Sequence, residues 1–239
     1  MLHTTTTPTA TMMTMPITTT EATLRLLAWL SPAFPTGGFA WSHAVEWAVE
    51  TGDIKNAATL QSWLETLLRH GSPRTDAILL RHAHRAADTL ESLIEITELA
   101  LATQASRERH AEAIGQGNAF RLAAAPWHPE ILTTLHEKIG DIPYPIAVGA
   151  LAGAKSIGED LAAAAYLQTV AANLISAAVR LVPLGQSAGL SVLAALEPLI
   201  AATTAETATA TLDDLGGCAF RSDLAAMRHE TQYTRLFRS

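Results

Sequence analysis

Cysteine is almost missing. Cys218 stands alone in 239 residues, which excludes an internal disulfide and leaves no thiolate cluster for zinc, and a reducing cytoplasm suits such a chain. Lysine is confined to Lys55, Lys138 and Lys155, so basic charge is carried mostly by arginine, which is favoured in protein interfaces where lysine is depleted. Charged residues make up only 16%, and a formal charge of −7 with a pI near 5.7 offers no clustered basic face for phosphates. Nucleic acid is thereby excluded as a general partner. Residues 1–20, MLHTTTTPTATMMTMPITTT, have neither a basic start nor an apolar run of secretory length; they are expected to form a disordered Thr-rich leader and not a signal peptide.

Apolar surface is what the chain has in quantity. With 49% hydrophobic residues it can bury a sizeable core, and residues 21–239 are expected to fold as one domain. Apolar positions recur at helical spacing, and no believable sheet emerges. A short helix over Glu21 to Leu30 runs into a hard break at Ser31, where Pro32, Pro35, Gly37 and Gly38 stop it. A new helix is expected from about Phe39, with Phe39, Ser42, His43, Glu46 and Glu50 on one narrow polar stripe. Asn56 is placed to cap a helix through Leu68, and another spans Thr75 to about Ala87. Asp88 is placed to cap the run from Leu90 to Leu101. Arg107, Glu108, Arg109 and Glu112 then read as the wet face of a helix reaching Leu122.

Glu130 to Ile139 gives one more amphipathic helix, and Pro143 and Pro145 make a second corner. Leu161 to Val179 contains no charge, yet Gln168, Thr169, Asn173 and Ser176 interrupt it, so it reads as a buried helix of a bundle and not a membrane span. The next helix is expected to end before Pro198, with Ala201 to Thr211 a loop or frayed helix. The fold class is all-α, a bundle of about nine or ten helices.

Three constellations invite chemical readings. His43 and Glu46, one turn apart on the expected helix, could share a metal or a proton, but two ligands make no site and a hydrogen bond at the core edge is the simpler reading. His82 and His84 diverge around a helix and form no ligand set. Gly149 to Ser156, GALAGAKS, is one substitution from a phosphate-cradling P-loop, which needs Gly where Ala154 stands. A P-loop also needs flanking strands, and as a helix the same segment puts Gly149 and Gly153 on a face made for close packing. The tail, residues 219–239, collects four arginines with Tyr233 and Phe237 at the end of an acidic chain. It either docks on the protein's own core or awaits a partner.

Four separated motifs resemble the urease accessory protein UreF family. Ser31, Pro32, Pro35, Gly37 or Gly38, Phe39, Ser42, His43 and Glu46 match its proline turn and Ser-His helix, with Ala44 standing for a Gly and Val45 for a Leu. Tyr144-Pro145 matches a corner, Asn173 to Gln186 a long helix ending in Pro-Leu-Gly-Gln, and His229 to Ser239 a terminal signature; Leu190 departs from a frequent Gln.

The resemblance implies an all-α, non-enzymatic maturation factor. It would bind UreD (also called UreH), help recruit the GTPase UreG, and dimerise in an assembly that delivers nickel and carbon dioxide to apo-urease. The tail residues His229, Glu230, Tyr233, Arg235, Leu236, Phe237 and Arg238 would then lie against UreD. His43, Glu46, Tyr144, Arg180 and Gln186 become candidates for a partner-facing surface or for positioning its loops. No catalytic residue, bound metal or cofactor is expected, and a nickel carrier or a nucleotide switch are the alternatives.

Overall fold

Asn56 accepts a hydrogen bond from the Thr59 amide at 3.0 Å while the Thr59 hydroxyl accepts from the Asn56 amide at 3.1 Å, a reciprocal cap that starts α3 (Ala57–His70) as expected. A computed structural model describes residues 19–239 and contains no strand among them. The expected leader lies outside the described residues except for Thr19 and Thr20, which already belong to α1 (Thr19–Trp29). The remaining helices are α2 (Val45–Glu50), α4 (Ser72–Arg85), α5 (Leu90–Ala102), α6 (Arg107–Ala123), α7 (Glu130–Ile139), α8 (Tyr144–Ala154), α9 (Glu159–Leu181), α10 (Gln186–Thr207) and α11 (Phe220–His229). The all-α class is as the sequence implies.

The centre of the bundle is α8 against α4. Every residue from Tyr144 to Ala152 is buried, and the two helices approach so closely that a Cβ on Gly149 would fall 2.2 Å from the Leu80 carbonyl oxygen and one on Gly153 2.3 Å from that of His84. GALAGAKS is therefore a packing face, and the P-loop alternative has no loop to work with. Although aromatics are only 5% of the chain, six of them converge: Trp29, Phe34, Phe120, Trp127, Tyr144 and Tyr166, with neighbouring ring centroids 5.4–6.1 Å apart. This cluster nails the Ser31 corner, through Phe34, to α6, α8 and α9.

Several local expectations yield to packing. The helix expected from Phe39 begins only at Val45: Gly38–Ala40 form one 3-10 turn, Trp41 is extended, and His43 and Ala44 are left-handed. α4 begins earlier than Thr75, at Ser72, because Pro73 suits a first helical turn. Thr89, not Asp88, precedes α5, and no side chain caps it. α10 runs straight through Pro198 to Thr207, since Leu196, Leu199, Ile200 and Thr203 are buried against the bundle and outweigh one missing amide. α9 and α10 are long and apolar enough to cross a membrane by length and composition; here α9 packs on α1, α2, α3, α4, α8 and α10.

Candidate functional site

The chain's end comes home to its beginning. α11 places His229 on a buried last turn, the chain reverses through Thr231 and Gln232, and residues 235–239 run beneath the corner that precedes α2. Glu46, in the first turn of α2, is the receiver: its carboxylate accepts the Leu236 amide at 2.7 Å, the Phe237 amide at 3.0 Å and His229 Nε2 at 3.1 Å. The other ring nitrogen of His229 lies 2.7 Å from Glu108, and Arg235 donates to the same carboxylate at 2.6 Å. At the last residue, the Ser239 carbonyl accepts the Ser42 amide at 2.8 Å and the Ser42 hydroxyl, while its own hydroxyl donates to Glu112 at 2.7 Å. Phe237 is buried beneath Arg180, whose guanidinium lies 4.3 Å above the ring and donates to the Phe39 carbonyl at 2.8 Å.

Three buried acids thus meet two arginines and a histidine. Glu112 pairs with Arg109 one turn back, Glu108 with Arg235 and His229, and Glu46 with His229. Burial alone would raise the Glu112 carboxyl, but Arg109, His43 and the Ser239 hydroxyl outweigh it and hold it at about 2. The His43 imidazole is pushed below its ordinary value, first by burial and then by Arg109. Its Nε2 lies 2.7 Å from the Ser72 hydroxyl and its Nδ1 3.7 Å from Glu112. Asp76, accepting from the Tyr166 hydroxyl at 2.9 Å, is raised to about 6 because burial outweighs Arg109 and that bond.

His43, Asp76 and Arg109 line two cavities at once, one of about 40 Å³ against Tyr144, Tyr166 and Asn173 and one of about 190 Å³ against Thr103, Gly216 and Asp223. Both left-handed residues of the turn, His43 at φ 55° and Ala44 at φ 64°, carry a conformational cost of about 1–2 kcal/mol each.

The residues singled out in the sequence separate into two kinds. His43, Glu46, His229 and Phe237 are buried and hold the tail and corner together, so they position loops. Tyr144 is a core residue, its ring 5.8 Å from Phe120 and 5.4 Å from Tyr166. Tyr233, Leu236 and Arg238 point outward, with Arg238 over Trp41 at 5.6 Å, and Gln186 is exposed at the start of α10. Glu230 accepts the Arg107 amide at 3.1 Å. Of the tail's two readings, docking on its own core is the one seen here, with Tyr233, Leu236 and Arg238 left facing outward.

The expected wet face of α6 is the clearest correction, because Glu108, Arg109 and Glu112 are each no more than 7% exposed. Their spacing carried the signal: Glu108, Glu112, Gln116 and Phe120 recur every four residues, which puts the acids on the stripe that buries Phe120. Among the described residues no group of three or more metal-ligating side chains is arranged around a common point.

Such a body belongs to the all-helical class, with an ion-paired interior and a terminal segment pinned so that aromatic and arginine side chains face outward. The UreF family model matches residues 54–197, between the corner and the tail. A urease accessory protein UreF of Bradyrhizobium sp. (strain BTAi1) is 50% identical over 221 residues, covering 91% of this chain and 92% of its own. That of Mesorhizobium japonicum is 50% identical over 218 residues, covering 91% and 96%. That of Rhodopseudomonas palustris (strain TIE-1) is 45% identical over 236 residues, covering 97% and 98%. The chain belongs to the UreF family of urease accessory proteins, which gives it a part in urease maturation.

Proposed function

We propose that this chain is a non-catalytic scaffold of urease maturation, acting as a cytoplasmic homodimer that binds UreD (UreH) through its tail and helps recruit the GTPase UreG, so that nickel can be inserted into apo-urease. The observation that carries this reading is the division of labour in the tail. His229 and Phe237 are spent on anchoring, while Tyr233 is fully exposed and Leu236 is 75% exposed on a segment whose backbone is already held by Glu46. A pre-ordered aromatic and aliphatic pair beside arginines is the composition of an interface anchor, and pre-ordering removes entropy that binding would otherwise cost.

The test is co-purification with UreD and UreG, followed by urease activity in a strain lacking this chain. Tyr233→Ala with Leu236→Ala is expected to abolish UreD retention while circular dichroism and thermal midpoint stay unchanged. Full retention by that variant would reject the tail as the contact, and no rescue of urease activity by the native chain would reject the scaffold itself.

A further inference from the structure

The outer flank of α1 is bare. Leu24 and Leu27 are 61% and 65% exposed, and Leu27 stands at the edge of an uncharged trough of about 480 Å³ between α1 and the first half of α9. Leu26 and Leu30 line it from α1 and Ala165 and Ala172 from α9, where the short alanine side chains leave space that longer ones would fill. The Thr169 hydroxyl donates to the Leu30 carbonyl at 3.2 Å and ties the two walls together at that end. Toward the other end Leu161, 37% exposed, lines both this trough and a second cavity of about 610 Å³ whose wall includes Thr19 and Ala22. The groove therefore opens at the residue through which residues 1–18 join the fold.

The leader has matching chemistry. Residues 1–18 carry no Asp, Glu, Lys or Arg, and the part nearest the fold, residues 12–17, reads MMTMPI. Methionine suits an irregular apolar groove because its unbranched side chain adapts to gaps, and Pro16 biases Met15 toward extended backbone. Reach also agrees. Leu26 to Leu30 lie about 10–17 Å along α1 from Thr19, at about 1.5 Å per helical residue, and Met12 to Met15 can extend about 13–23 Å from Thr19, at about 3.3 Å per residue. A tethered segment also meets the groove at a high effective concentration, which a separate chain does not.

We propose that residues 12–17 fold back along α1 and lay their methionines in the trough between α1 and α9, covering Leu27 and Leu161. The leader is then a built-in cover for an apolar face that is otherwise open to other chains. This cover acts independently of the tail and of whatever the tail contacts.

Oxidation of the full chain by dilute hydrogen peroxide tests the cover, because only five methionines are present: four within residues 1–18, and Met227, which is 49% exposed on α11 and serves as the internal reference. Sulfoxide formation at Met12, Met13 and Met15, mapped by mass spectrometry, is expected to be about fivefold slower in the native chain than in Leu27→Asp, with Met227 unchanged. Equal rates in the two chains overturn the proposal. So does protection that appears only as concentration rises, in step with a dimer in sedimentation velocity, which would put a second copy in the groove. Met13→Asp is the reciprocal variant and leaves α1 and α9 untouched. The methyl NMR signals of Leu27 and Leu161 are expected to shift in it, and fixed signals overturn the proposal equally. Should Leu27→Asp fail to fold, Met13→Asp decides alone.

Discussion

Glu46 and His229 lie 183 positions apart along the chain and 3.1 Å apart in the fold. That pairing closes the bundle, since α2 follows the proline corner and α11 leads the tail, and Glu108 of α6 grips the opposite nitrogen of the same ring at 2.7 Å. The three helices are stapled by one imidazole.

Removing that staple leaves two carboxylates buried and facing each other. His229→Ala is expected to lower the unfolding free energy by about 3–5 kcal/mol, the range for breaking a buried charge network by deleting one member. Urea denaturation measures it, and a loss below about 1 kcal/mol would mean that water replaces the ring without penalty.

Gly149→Ala places a methyl group 2.2 Å from the Leu80 carbonyl oxygen, so α4 and α8 must separate. The expected loss is about 3 kcal/mol or more, against less than about 0.5 for Gly185→Ala, where nothing lies within 4 Å and φ is −70°. Equal thermal midpoints for the two variants would contradict the close packing.

Asp76 supplies a pH signature. Its folded-state value, about 6, lies above the ordinary 3.8, so the folded protein holds this proton more tightly than the unfolded one. Its contribution is fully present below pH 3.8 and is lost as pH rises through 6, leaving a buried ionised carboxylate at neutrality. Asp76→Asn keeps an acceptor for Tyr166 and is expected to stabilise the protein by about 2–3 kcal/mol at pH 8, the gain vanishing toward pH 4. Glu112 has the opposite sign: depressed to about 2, its contribution is present above 4.5 and fades as pH falls toward 2. A pH-independent difference between native chain and Asp76→Asn would refute the assignment.

Arg235 pairs with Glu108 at 2.6 Å while its side chain is 39% exposed. Arg235→Ala is therefore expected to loosen the tail, raising tryptic cleavage after Arg228 and weakening UreD co-purification, with a loss of folding stability of at most about 1 kcal/mol for so exposed a pair. Unaltered cleavage and retention together would show that Arg235 is dispensable.

His43 is committed to Ser72 and Glu112, so equilibrium dialysis with nickel is expected to give no stoichiometric binding and no difference on His43→Ala. One equivalent of nickel lost in that variant would favour the carrier reading.

The helices themselves were legible because their signals are local. Asn56 and Thr59 announce a cap, Leu60, Leu64, Leu67 and Leu68 mark one face, and Pro32 with Pro35 enforces a corner, all within a few residues of the structure they produce. Where a long-range contact outbids a local preference, local reading fails. Pro198 sits inside α10 because the residues around it are buried, and Ser42 to Ala44, where Ser42 meets the tail at Ser239, lie outside helical geometry.

The sequence by itself determined an all-helical chain without disulfide or basic face, and the family to which its motifs belong. Only the tertiary structure decided which charges are interior. Hydrophobic periodicity marks an apolar side chain as buried wherever it lies, whereas a buried carboxylate needs a cation or amide to meet it. Glu108 finds its partners more than a hundred positions away, at His229 and Arg235, and only folding brings them together.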